Sequence, residues 1–200
     1  MTARDQLLTR IRGSLGRSAN EAVPSPPSVR LQVPEISPSD RVTQFANALT
    51  ALAGKVILPS SKEDVRAAIK KIVNERSVVT VNQGDVATAD VGINFADYAL
   101  ADTGSLVFLS ESRESRLISL LPPVHIAIVA RHRILSGLDE LFTLVPHPAA
   151  NSSSMVIVTG PSRTADIEMR LVRGVHGPGE VHAIIVEDVT HSGSYASEET

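Results

Sequence analysis

Three short runs hold the side chains that can do chemistry. The run Gly160-Pro-Ser-Arg-Thr-Ala-Asp-Ile-Glu168 gathers two hydroxyls, a guanidinium and two carboxylates. Ser162, Arg163 and Thr164 suit an anion: hydroxyls and backbone N–H groups let it approach, and a guanidinium grips carboxylate or phosphate with two parallel bonds. Asp166 and Glu168 supply carboxylates for acid–base work. The run Ala101-Asp102-Thr103-Gly104-Ser105 sets a carboxylate and two hydroxyls around a glycine, and Arg113 and Arg116 downstream offer cationic partners. The third run, Gly174-Val-His176-Gly177-Pro178-Gly179, places an imidazole in a turn, where it could carry a proton.

Each run also has a structural reading. Thr164 can simply cap a helix, with Asp166 and Glu168 complementing its dipole. Asp102 to Ser105 can be a polar hairpin turn. Gly174 can end a helix, and His176 can be a turn residue. No HExxH, GxSxG, GxGxxG or P-loop pattern occurs, and His176 and His182 lack helical metal-ligand spacing, so no metal site is expected.

The elements that must position these runs follow from periodicity. Leu7, Leu8, Ile11 and Leu15 share one face of a short basic helix in residues 1–17. Residues 18–38, with five prolines, read as a linker, residues 39–190 as the folded domain and 191–200 as a polar tail. Within the domain, helices are expected at 39–54, 62–75, 111–121, 137–144 and 164–173. Strands are expected at KVILP, SVVTV, VHIAIVA, MVIVT and VHAIIVED, with a hairpin in ALADTGSLVFLS. That alternation implies an α/β fold with a mostly parallel sheet. The segment from Met155 to Asp188 then reads as a βαβ unit, with Ser162–Thr164 at a helix start beyond a strand's carboxyl end. On that topology the His176 turn lies at the opposite end of the sheet from Arg163.

Composition narrows the function. The 200 residues carry a net charge of −3, which argues against general nucleic-acid binding. There is no cysteine, so this sequence cannot ligate an iron–sulfur cluster or zinc through thiolates. No apolar run approaches the ~20 residues of a membrane-spanning helix, and a cytoplasmic location is expected.

The runs ADTGSLVF (101–108), RLISLLPPVHIAIV (116–129), GPSRTADIE and GVHGP (160–178) resemble, in order and spacing, the lactate utilization protein C family, also called the LUD-domain or YkgG family. The resemblance implies a three-layer α/β sandwich like ribose-5-phosphate isomerase and the CoA transferases. It also implies a role in oxidising L-lactate to pyruvate beside partner proteins that carry iron–sulfur clusters. Any such clusters belong to the partners, and no cofactor is expected in this chain. The catalytic candidates are Asp166, Glu168 and His176, although Glu168 inside a helix suits a nucleophile poorly. The ligand-binding candidates are Asp102, Thr103, Gly104, Ser105, Arg116, Ser162, Arg163 and Thr164, with Gly177 and Pro178 completing the motif. Two other readings stay open: a stand-alone enzyme or sensor for a small anionic metabolite, and a module that only binds protein. Self-association into a homo-oligomer is also left open.

Overall fold

The computed structural model describes residues 2–18, 36–81, 83–110, 113–148, 152–165, 171–173 and 177–188, without side chains at 110, 113–115, 164–165 and 171–173. The chain divides into two units, Met1–Gln32 and Val33–Thr200.

The first unit contains helix α1 (Ala3–Leu15). Thr2 and Asp5 form a reciprocal capping box at its start, and Gly16 ends it in the left-handed conformation. Leu7, Ile11 and Leu15 share the expected face and are exposed.

The second unit opens with α2 (Pro38–Ala51), whose first residue has the fixed φ that suits a helix start. Then come β1 (Lys55–Ile57), α3 (Lys62–Val73), β2 (Val78–Val79), β3 (Val91–Phe95), β4 (Tyr98–Leu100) and β5 (Ser105–Ser110). The chain continues through α4 (Arg113–Ile118), β6 (Val124–Ala130), β7 (Ile134–Leu135), α5 (Leu138–Leu144) and β8 (Ser154–Val158). The last strands are β9 (Arg163–Ala165), β10 (Leu171–Arg173) and β11 (Glu180–Val186).

Five strands form a fully parallel sheet in the order β1-β11-β6-β3-β2. The central strand β6 is buried along its whole length, as an unbroken apolar run requires in a sheet covered on both faces. One face carries Val91, Ile93, Val124, Ile126, Ile128 and Ile184, packed on Val65 and Ile69 of α3. The other face carries Ala127, Val129, Val181, Ala183 and Ile185. It meets Val42, Phe45 and Leu49 of α2 and, from a second sheet, Ala99, Leu106 and Phe108. The alternation of these two sets along each strand is the period-2 rule at work. Phe45 and Leu49 are fully buried, and each such side chain contributes roughly 1.5–3 kcal/mol.

The parallel sheet flanked by helices is the α/β class expected from the sequence. The second sheet, ordered β7-β4-β5-β8, was not foreseen; it is mixed, and α5 covers part of its far face through Leu141 on Leu100, Val107 and Leu135.

Two expectations fail. β8 does not open a βαβ unit: it pairs antiparallel with β5 in the second sheet, whereas β11 lies between β1 and β6 in the first. The helix expected over 164–173 is also wrong, because residues 163–165 and 171–173 form an antiparallel pair, β9 with β10; residues 166–170 lie outside the described residues. The physical reason is tertiary. The Ser162 N–H donates to the carbonyl of Pro178 at 2.8 Å, so the segment starts against the chain that returns from it. That closure favours a ladder over the helix that Ala, Met, Arg and Leu would otherwise support.

Candidate functional site

The ADTGS run is a hairpin turn, as expected. Gly104 stands at φ +68°, a backbone conformation that side-chain-bearing residues rarely adopt. A Cβ there would meet the backbone N of Leu49 at 2.4 Å, so the turn lies directly on the last turn of α2. From this turn runs a chain of hydroxyls. Thr103 Oγ1 donates to Asp102 Oδ1 at 3.2 Å and lies 2.8 Å from Ser105 Oγ, which lies 2.9 Å from Thr159 Oγ1. Ser105 is buried, while Thr103 and Thr159 are exposed. Because β5 and β8 pair Leu106 with Val158, the residues just outside that pair, Ser105 and Thr159, fall side by side. Antiparallel register thus joins two runs that are far apart in sequence.

Arg163 is exposed and donates to the carbonyl of Leu52 just past α2. It satisfies a helix C-terminal carbonyl, where a cation is favoured. This is the reverse of the expected arrangement, in which Arg163 stood at a helix N-terminus beside an anion. Without a helix start at Thr164, the physical case for an anion site built on Ser162, Arg163 and Thr164 loses its donor array.

Ser162 and the glycine-rich turn come together, although the simple topology put them at opposite ends. Besides the Ser162–Pro178 bond, a Cβ on Gly177 would sit 3.4 Å from that of Ser162. The backbone N–H groups of Gly179 and Glu180 both donate to the carbonyl of Pro123, at 2.9 and 3.3 Å. The GPSRT, LLPP and GVHGPG runs therefore meet where β6 and β11 begin, at the amino end of the parallel sheet. Arg116 lies on α4, which leads into this same loop, and its carbonyl accepts a bond from Ser119 Oγ at 3.0 Å. Asp166, Glu168 and His176 lie outside the described residues, as does the side chain of Thr164.

Next to this junction stands a charged group that motif reading missed. Glu180 Oε2 accepts from Lys55 Nζ at 2.9 Å and faces His182 Nε2 at 3.3 Å. Bonding to Lys55, with His182 adding to it, holds the Glu180 carboxyl below its ordinary value. Burial holds His182 below its ordinary value, opposed by Glu180. Its Nε2 faces Glu180, and among the described residues its Nδ1 is buried without a hydrogen-bond partner. A second buried histidine, His125, sits on the opposite face of the sheet from His182. Its Nε2 lies 2.8 Å from Asn94 Oδ1, and its ring packs on Phe108. The alternation in Glu180-Val-His182 and Val124-His125 was the available signal for both.

A separate cleft of about 310 Å³ opens at the carboxyl ends of β1 and β11, lined by Ser60, Ser61, Lys62, Val186, Glu187 and Asp188. This is the end of a parallel sheet where ligands commonly bind, and the chain leaves β1 there for the far edge of the sheet. Among the described residues, none of the candidates from the sequence lines it. Its helix start is largely self-satisfied: Ser61 Oγ accepts from the Asp64 N–H, and Asp64 Oδ2 accepts from the Ser60 N–H. Among the described residues no cluster suited to a metal ion is found.

The architecture has a solved counterpart. A DUF162 family protein from Deinococcus radiodurans shares the fold with a TM-score of 0.58 at 18% identity, covering 75% of this chain and 98% of that one. In sequence, the model of the LUD domain matches residues 81–186, and the chain belongs to the LUD domain family. More particularly, its relatives include lactate utilization protein C of Halalkalibacterium halodurans, 42% identical over 104 residues. The alignment takes in 50% of this chain and 45% of that protein. Lactate utilization protein C of Bacillus subtilis is 40% identical over 104 residues, which cover 50% and 43% of the two chains. The family resemblance carried by the motifs is thereby upheld. The chain spans about half the length of the curated relatives it matches.

Proposed function

We propose that this chain serves lactate utilization, as a non-redox component that acts with iron–sulfur partner proteins in converting L-lactate to pyruvate. The observation that carries the reading is the match of residues 81–186 to the LUD domain, with relatives named for lactate utilization over the same region. Removing two electrons from lactate needs an acceptor, and the 200 residues contain no cysteine to ligate a cluster. In this reading the clusters belong to the partners. We further propose a cytoplasmic location; separately, among the described residues no helix is long and apolar enough to cross a membrane.

The test is genetic and biochemical together. A strain lacking this chain should fail to grow on L-lactate and recover when the chain is restored. A tagged copy from lactate-grown cells should bring down cysteine-rich iron–sulfur proteins in stoichiometric amount. Undiminished growth of the deletion strain on L-lactate would overturn the proposal.

A further inference from the structure

We propose that the cleft at the amino end of the parallel sheet, walled by Arg76, Asp90 and Glu180, binds a small 2-hydroxy acid. The inference rests on the lactate-utilization reading for its choice of substrate class, and on the geometry for the site.

The cleft measures about 470 Å³ and is lined by Arg76, Asp90, Pro123, Val124, Gly179 and Glu180. Pro123 and Gly179 belong to the LLPP and GVHGPG runs and are bonded to each other across the floor, so the motif loops build the cleft they border. The charged groups come from elsewhere: Arg76 and Asp90 flank β2 and β3, and Glu180 begins β11.

The two carboxylates are held by one oxygen each. Asp90 Oδ2 accepts from the Ser77 N–H at 3.1 Å and from Ser77 Oγ at 2.7 Å. Glu180 Oε2 takes both Lys55 and His182. Among the described residues no bond falls on Asp90 Oδ1 or Glu180 Oε1, and Arg76 makes no salt bridge. Both carboxyls are also kept ionised, Asp90 by its bonds from Ser77 and Glu180 chiefly by Lys55. The cleft thus offers one forked cation and two carboxylate oxygens able to accept. A molecule with a carboxylate and an adjacent hydroxyl satisfies both: the carboxylate lies on Arg76 and the hydroxyl donates to Asp90 or Glu180. Inorganic phosphate, which carries more negative charge than a monocarboxylate near neutral pH, would meet stronger repulsion from the same two carboxylates. Acetate would leave the acceptors unmet.

Calorimetric titration of the purified chain tests this, with L-lactate, acetate and inorganic phosphate as probes. L-lactate should bind saturably, and Arg76→Ala should weaken it about 10- to 100-fold, as loss of a charge-assisted contact does. Arg76 is exposed, so the variant should keep its fold, and its circular dichroism spectrum should be unchanged. Acetate should bind about 5- to 10-fold more weakly than L-lactate. In an independent readout, the His182 imidazole resonances should move on adding L-lactate to the wild type and stay still in Arg76→Ala. No saturable binding at millimolar L-lactate, equal affinity in Arg76→Ala, or phosphate or acetate matching L-lactate would each overturn the site. A deletion strain that still requires this chain on L-lactate, combined with any of those results, would sink this inference and leave the role in lactate utilization standing.

Discussion

His125 is a built-in acid lability. The residue is fully buried on the central strand, donates to Asn94 Oδ1 at 2.8 Å and packs on the Phe108 ring at 5.3 Å, and its Nδ1 has no partner among the described residues. Burial, with a contribution from His182, pushes its pKa down from 6.5 to about 3. In the unfolded chain the same imidazole regains its ordinary pKa of ~6.5. Between those two values the unfolded state binds one more proton than the folded state, so folding stability falls as pH falls. The contribution is fully present above pH ~6.5 and is lost progressively toward pH ~3, at roughly 1 to 2 kcal/mol per pH unit. From pH 7 to pH 5 the loss is therefore roughly 2 kcal/mol. With a urea dependence of about 2 kcal/mol per molar for a domain of this size, the midpoint should drop by about 1 M. The control is His125→Gln, which can keep the bond to Asn94 but cannot be protonated. Titratable groups that do not interact with His125 cancel in the comparison. Urea melts at pH 7, 6 and 5 should show a steeper fall for the wild type than for the variant. Parallel profiles would refute the assignment of a buried, neutral imidazole at this position.

Gly104→Ala should destabilise by about 2–4 kcal/mol, from positive φ and collision with the Leu49 backbone, as a thermal melt would show. Arg41→Ala should cost about 2 kcal/mol in urea unfolding. It removes bonds to the carbonyls of Ile36 and Ile134 and an ion pair with Glu140 at 3.0 Å, around a side chain only 15% exposed. Arg163→Ala should cost under about 1 kcal/mol in the same assay, because its contact to Leu52 is exposed; a collapse of the fold would contradict the capping role. Ser105→Ala should cost about 1 kcal/mol by breaking the hydroxyl chain between Thr103 and Thr159.

The sequence made the parallel sheet partly legible and the second sheet hardly at all. Unbroken apolar runs such as VHIAIVA announce a strand buried on both faces, and β6 is one. The strand beside it, β3, reads VGINF, with a glycine and an asparagine inside it, and those two residues hide the pattern. Both have local reasons. Gly92 lets α4 cross closely, since a Cβ would strike the Ile118 carbonyl at 2.3 Å, and Asn94 is the partner of His125. β7 has two residues and no periodicity to detect.

The site was legible as a list of residues and illegible as an arrangement. Asp102, Ser105, Ser162, Arg163 and Gly177 stood out by type, and that selection needed no topology. The meeting of Ser162 with Gly177 depended on whether Thr164 opened a helix. A helix there would have carried Arg163 and the glycine turn to opposite ends of the sheet. The β9–β10 pair instead sets Arg173 opposite Arg163, so the chain doubles back and returns Gly177 to Ser162. Helix propensity differs by less than ~1 kcal/mol per residue among ordinary side chains. A ladder fixed at its base by the Ser162–Pro178 bond can outweigh that preference, and nothing local to residues 163–173 reveals the bond. The same long-range closure brings the Ser162 loop to the amino end of the sheet, where the Pro123 and Gly179 loops lead into β6 and β11 beside Glu180 and Arg76. Those two charges belong to no motif, which is why the cleft they form could be found only once the chain was folded.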